Sequence, residues 1–127
     1  INEDIQKIFE PNSSKLKQRL NALEQLNKAG IKTYLFFGPV LPNTTLEDID
    51  ELFEKLKYLK INHMFLDKLN IKSGNWKYIE ARLKQDLPNQ LESWRKICFG
   101  RTGYYREIKA KVKKLSRKNN IRVVYCY

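Results

Sequence analysis

A cation and an anion near the start of one amphipathic segment give this sequence its first chemical suggestion. Arg19 borders a stripe of Leu16, Leu20, Leu23 and Leu26, which recur at helical spacing. It stands near the beginning of that helix, where a positive charge opposes the helix dipole. An arginine so placed does little for the helix but can hold a carboxylate in a forked pair. The alternative is that its stem lies along the apolar stripe and its head pairs with Glu10 or Glu24. Glu10 precedes Pro11 at the mouth of the same helix. It could bind ligand hydroxyls there, or simply supply a favourable charge near a helix start.

Two further clusters close apolar runs. Asp67-Lys68-Leu69-Asn70 follows Met64-Phe65-Leu66. Strand alternation puts Asp67 and Leu69 on one face and Lys68 and Asn70 on the other, so a polar residue points inward either way. Gly38-Pro39 ends the run Tyr34-Leu35-Phe36-Phe37. A glycine there lets a ligand approach the backbone, or serves a turn.

Other chemistries find no support. There is no GxGxxG and no GxxxxGKS, so no phosphate loop. His63 is the single histidine, and no nucleophile–base pair is suggested. Cys98 and Cys126 are too few and too far apart for a disulfide framework or a cysteine-rich metal centre. They read as reduced thiols of a cytoplasmic protein, and no metal ligand is assigned.

The elements that must position these residues follow from periodicity. A short helical turn carries Ile5, Ile8 and Phe9 and stops at Pro11. Asn12-Ser13-Ser14 offers a cap, a helix spans residues 14–29, and Gly30 ends it in the left-handed conformation. Residues 32–39 read as a strand buried on both faces, which Pro39 terminates. Thr44 and Glu47 have capping-box spacing for the next helix, striped by Leu46, Ile49, Phe53, Leu56 and Leu59. A strand follows over residues 64–69. The remainder reads as helices around Trp76–Leu83, Leu91–Cys98 and Tyr105–Leu115, and a final strand over residues 121–127. Helix–strand–helix–strand with short loops is a parallel α/β repeat, from an open sheet or part of a barrel. Its strands are expected to carry helices on one side and to leave a free sheet edge.

The net charge is +11 and unevenly spread. Residues 100–122 hold nine Lys/Arg and one acid, Glu107. Such a helix could contact nucleic acid through residues 101–122, with Tyr104 and Tyr105 adding stacking. It could equally be a solvated face in a lysine-rich chain. No apolar run is long enough to span a membrane, and no signal peptide is visible. Beginning at Ile1 rather than Met, the chain reads as an excised piece.

Taken in order, Glu10-Pro11, Arg19-Leu20, Leu26 with Ala29-Gly30-Ile31, and Pro39-Val40-Leu41-Pro42 resemble the second half of radical S-adenosylmethionine enzymes. The similarity is greatest to the branch of spore photoproduct lyase and the DNA repair photolyase-like proteins. Phe65-Leu66-Asp67-Lys68-Leu69-Asn70, Trp76 and the ending Val123-Val124-Tyr125-Cys126-Tyr127 fit as well. The resemblance implies the C-terminal part of a partial (β/α)6 barrel over residues 1–72, then a mostly helical extension over 73–127 ending in a strand. It implies S-adenosylmethionine and a 4Fe–4S cluster in the full-length protein. The CxxxCxxC motif that would hold the cluster is absent here, so no cofactor is expected in this piece and it should be inactive alone. Glu10 and Arg19 would face the methionine or ribose part of the cosubstrate, and Pro39 the adenosine. Asp67, Lys68 and Asn70 would line the last strand end. The implied partner is the missing N-terminal half of the barrel, or a second copy bound through the exposed sheet edge. The rivals from other classes are a basic nucleic-acid-binding module without catalysis and a helical interaction domain whose Trp76 and Trp94 pack a partner.

Overall fold

A computed structural model of the chain describes residues 3–72 and 74–127. Residue 73, where the second segment was expected to begin, lies outside them. Helix α1 (Glu3–Phe9) and helix α2 (Leu16–Lys28) precede strand β1 (Thr33–Val40). Helix α3 (Leu46–Leu56) leads to strand β2 (Ile61–Lys68). Helices α4 (Asn75–Asp86), α5 (Leu91–Phe99) and α6 (Tyr104–Lys118) then lead to strand β3 (Arg122–Tyr125). The three strands form one parallel sheet in the order β1-β2-β3. The expected mixed α/β architecture is therefore present. Because β3 pairs with β2, residues before and after 73 share one sheet.

The same local device launches β1 and β3. After α2, Gly30 has φ 74°, Ile31 N–H donates to Leu26 O at 3.0 Å and Gly30 N–H to Asn27 O at 3.0 Å. After α6, Asn120 has φ 54°, Ile121 N–H donates to Ser116 O at 2.9 Å and Asn120 N–H to Arg117 O at 3.3 Å. Both are Schellman closures, which satisfy the last carbonyls and turn the chain sharply into the strand. Glycine was read correctly at position 30; asparagine does the same work at position 120 because its side chain tolerates the left-handed region.

Two caps fall one residue later than the spacing suggested. Helix α3 is capped by Thr45, whose Oγ1 accepts from Asp48 N–H at 3.1 Å while Thr45 N–H donates to Asp48 Oδ2 at 2.8 Å. Thr44 is held in the preceding turn by its N–H to Leu41 O, 3.0 Å, and cannot serve. Helix α2 starts after Lys15, because Ser13 and Ser14 are used by the turn described below. Strand β1 also runs one residue past Pro39: Val40 is buried and its carbonyl accepts from Leu69 N–H at 3.2 Å.

The core lies between one face of the sheet and helices α3 and α6. Met64 and Leu66 of β2 meet Ile49 and Leu56 of α3 and Ile108 and Val112 of α6, all buried. Leu35 and Phe37 join them from β1. The other face is not covered. Tyr34 is 57% exposed and Phe36 is 60% exposed, so the run Tyr34–Phe37 is buried on one side only. An apolar run cannot distinguish a strand covered on both faces from one whose second face is left open. At the start of the strands, Asn27 pins α2 to two of them. Its Nδ2 donates to Thr33 Oγ1 at 2.8 Å, its Oδ1 accepts from Lys60 N–H, and Thr33 Oγ1 donates to Lys60 O at 3.1 Å.

Candidate functional site

The cleft between α1, α2, β1 and α3 gathers three of the six residues proposed from sequence. Glu10, Arg19 and Pro39 line it, with Leu20, Leu23 and Leu35 forming its apolar wall. The turn that carries Glu10 is built locally. Glu10 N–H donates to Gln6 O at 2.7 Å and ends α1. Pro11 follows with no N–H to continue the helix, and Ser13 N–H closes a turn onto Glu10 O at 3.0 Å. Gln6 Nε2 donates to Ser13 Oγ at 2.7 Å and to Ser14 O at 2.9 Å, which fixes the turn against α1.

Arg19 reaches back over this turn. Its Nε donates to Ser14 O at 2.8 Å, and its Nη2 donates to Ser13 Oγ at 3.2 Å and pairs with Glu10 Oε2 at 3.3 Å. Both partners are about half exposed, so the pair adds at most about 1 kcal/mol to stability. It aligns the two groups rather than holding the fold together. Nη1 has no hydrogen bond among the described residues, and Arg19 lines the cleft.

The other three residues are separated from these. Gly38 stands against the end of β2: a Cβ there would lie 2.9 Å from Asp67 Cβ and 3.2 Å from Asp67 O. Glycine is required at 38 by the close approach of two strands, a reason distinct from either a turn or a ligand. Asp67 thus lies behind Gly38, on the uncovered face, and does not line the cleft. Lys68 points the opposite way, with Nζ 5.9 Å from the centre of the Tyr105 ring and 5.3 Å from that of Tyr127. Asn70 is exposed, and its carbonyl accepts from Asn75 Nδ2 at 3.0 Å. Lys68 and Asn70 do not line the cleft.

Four tyrosines at the same end of the sheet were not recognised as a group from sequence. Tyr104 Oη lies 2.7 Å from both Leu41 O and Thr44 O, and Tyr105 Oη donates to Val40 O at 3.1 Å. These hydroxyls hold the loop from β1 to α3, which forms the cleft rim. Their rings pack against the core, so they are not stacking platforms for bases. Tyr125 and Tyr127 complete the cluster, with Tyr105 and Tyr127 rings 6.1 Å apart. Burial raises the phenol pKa of Tyr104, Tyr105, Tyr125 and Tyr127 above the ordinary value. The folded chain therefore favours the neutral phenols. Their contribution is complete below the unfolded pKa of about 10 and is lost as pH rises through the folded values. Thermal stability is expected to fall steeply above about pH 10. Phenolate absorbance should show a delayed group of tyrosines in the folded chain. Ionisation of every phenol together near pH 10, with no change in stability, would contradict the cluster.

The cysteines do not form a site. Cys98 is partly buried on α5, with its thiol pKa raised by burial, and Cys126 is exposed just after β3. Among the described residues no three His, Cys, Asp or Glu side chains are grouped to hold a metal ion. No helix of the described residues is long and apolar enough to cross a membrane. The tryptophans are engaged internally: Trp94 is buried and stacks on Phe9 at 5.1 Å, and Trp76 meets Phe99 edge-on at 5.0 Å.

No family model matches the chain, and no solved structure matches it. An uncharacterized protein of Methanocaldococcus jannaschii is 27% identical over 116 residues, covering 91% of this chain and 41% of that protein. The chain thus spans less than half the length of the relative it matches.

Proposed function

We propose that this chain is the C-terminal part of a radical S-adenosylmethionine enzyme, contributing the last strands of a partial (β/α)6 barrel. The observation that carries this reading is the layering of the uncovered sheet face. Register aligns Tyr34 with His63 and Arg122, and then Phe36 with Phe65 and Val124. Gly38 and Asp67 meet at the carboxyl end, where alternation places Cys126 beside them. Large side chains, His63 and Arg122 among them, stand at the amino end of this face, and the smaller Gly38, Asp67 and Cys126 at the carboxyl end. A barrel interior has this character, packed below and open to ligand at the carboxyl mouth. Helices α3 and α6 occupy only the opposite face, as an outer helical ring would.

Two further features favour a larger whole. Helix α2 has no fully buried residue despite its leucine stripe, and β1 has a strand on one side only among the described residues. The cleft holds about 180 Å³. Sites for drug-sized ligands run to roughly 300–1,000 Å³, so a nucleoside-sized cosubstrate would need walls from another segment.

Glu10, Arg19 and Pro39 suit an amino-acid carboxylate and a ribose. The cluster does not fit this chain, whose two thiols are grouped neither with each other nor with further metal-binding side chains among the described residues. It would be held by a segment beyond these 127 residues. Held elsewhere and given one electron by a reductant, such a cluster would cleave the cosubstrate to methionine and a 5′-deoxyadenosyl radical, a step to which no residue of this chain is assigned. The residues here would bind and orient the cosubstrate. The test is anaerobic reconstitution of the full-length protein with iron and sulfide, followed by reductant-dependent cleavage of S-adenosylmethionine. Visible charge-transfer absorption and release of 5′-deoxyadenosine and methionine are expected. A protein that takes up no cluster, or takes it up and cleaves nothing, would refute the reading.

A further inference from the structure

Helix α6 differs from every other helix in how its surface charge is compensated. Lys7 pairs with Asp4 in α1, Lys28 with Glu24 in α2, and Lys55 with Glu51 in α3. Lys84 pairs with Glu80 in α4, and Arg95 with Glu92 in α5. Helix α6 carries seven Lys/Arg and one acid, and among the described residues it has no ion pair within itself. Only Lys111 finds a carboxylate, that of Asp50 on α3 at 2.6 Å. A merely lysine-rich chain would show the same excess on all its helices. Here, among the described residues, the other helices leave at most an isolated unpaired cation, such as Lys17 on α2, Lys77 on α4 or Lys96 on α5, whereas the excess is concentrated on α6.

The geometry of that charge is regular. Ile108, Val112 and Ser116 face the core. Arg106, Lys113 and Arg117 are exposed and recur at seven- and four-residue spacing on the outward side. Lys109 flanks them, its Nζ 4.4 Å from the centre of the Tyr125 ring. From Arg106 to Arg117 the stripe runs about 16 Å along the helix, over which one strand of a duplex presents about five phosphates.

We infer that the outward face of α6 binds the phosphate backbone of nucleic acid without reading its sequence. The tyrosines nearby are packed against the core, so no base-stacking component accompanies it. An anionic membrane is the poorer partner. An interfacial helix must bury its own apolar face in lipid, and that of α6 is spent on the protein core. The surface belongs to the outer helical layer, so it is available whether or not the sheet is part of a barrel.

The test compares full-length wild type with two variants of equal net charge. One is R106Q/K113Q/R117Q; the other, K28Q/K55Q/K84Q, removes three ion-paired lysines elsewhere. Binding to a labelled DNA duplex is measured over a salt series. Wild type should give a log–log slope of about −3 to −4 for four phosphate contacts. The α6 variant should lose about tenfold at low salt and flatten to a slope of about −1, whereas the control should change less than about twofold. Circular dichroism checks folding, and should the triple variant unfold, R117Q alone must weaken binding more than K55Q. Equal losses in both variants would mean diffuse charge and overturn the assignment. So would the absence of duplex binding at micromolar protein in low salt, or binding to phosphatidylserine vesicles in place of duplex.

Discussion

Arg19→Ala in the reconstituted full-length protein is expected to weaken S-adenosylmethionine binding by about 2–4 kcal/mol, as the loss of a charge-assisted pair would. That is roughly 30- to 700-fold in Kd, well within reach of calorimetry. The expectation rests on how Arg19 is held. Its Nε and Nη2 are engaged by Ser14 O, Ser13 Oγ and Glu10, which fixes the plane of the guanidinium. On the proposed function, the unbonded Nη1 would meet the cosubstrate carboxylate with little ordering left to be done. Little stability should be lost, because the pair with Glu10 is half exposed. Affinity and fold are thus separable in this variant. Unchanged affinity with an intact fold would leave Arg19 as a clasp for the Glu10 turn and nothing more.

Trp94→Ala should cost about 3–5 kcal/mol of folding stability, the range for removing a large aromatic side chain from a core. Trp94 is 1% exposed, stacks on Phe9 and donates from Nε1 to Gln90 Oε1 at 3.3 Å. A domain of this size has about 5–15 kcal/mol in hand, so the variant is near its limit at ordinary temperature. The consequence reaches the cleft. Phe9 immediately precedes Glu10, so the α5 tryptophan holds the end of the helix that presents the carboxylate. Arg82 adds a second tie, donating from Nη2 to Ile8 O at 3.2 Å. Urea denaturation of Trp94→Ala and Trp94→Phe measures the cost, with the phenylalanine variant retaining more of the stacking. A loss below about 1 kcal/mol would mean that α5 does not pack on α1 in solution.

Local order was open to reading from residue types alone. The stripes of α2, α3 and α6, the glycine stop at 30 and the parallel α/β alternation each follow from an interaction within a few residues of its origin. So did the suspicion that Glu10 and Arg19 belong together, because one proline turn and one helical turn separate them. What could not be read was direction. Asp67 and Lys68 are adjacent and both polar. That Asp67 meets Gly38 while Lys68 turns to Tyr105 and Tyr127 depends on which face the helices cover. The exposure of Tyr34 and Phe36 depends on the same choice. Tyr104 and Tyr105 looked like free aromatics until the β1–α3 loop, about sixty residues earlier, supplied their acceptors.

By itself the sequence determined the elements, their order and the excess charge of α6, since these rest on propensity, capping and composition. Only the tertiary structure decided which sheet face is open, which of the six proposed residues share a cleft, and that of the α6 cations only Lys111 finds a carboxylate among the described residues. Each of those turns on contacts between residues far apart in the chain, and strand periodicity specifies two faces without saying which one will be buried.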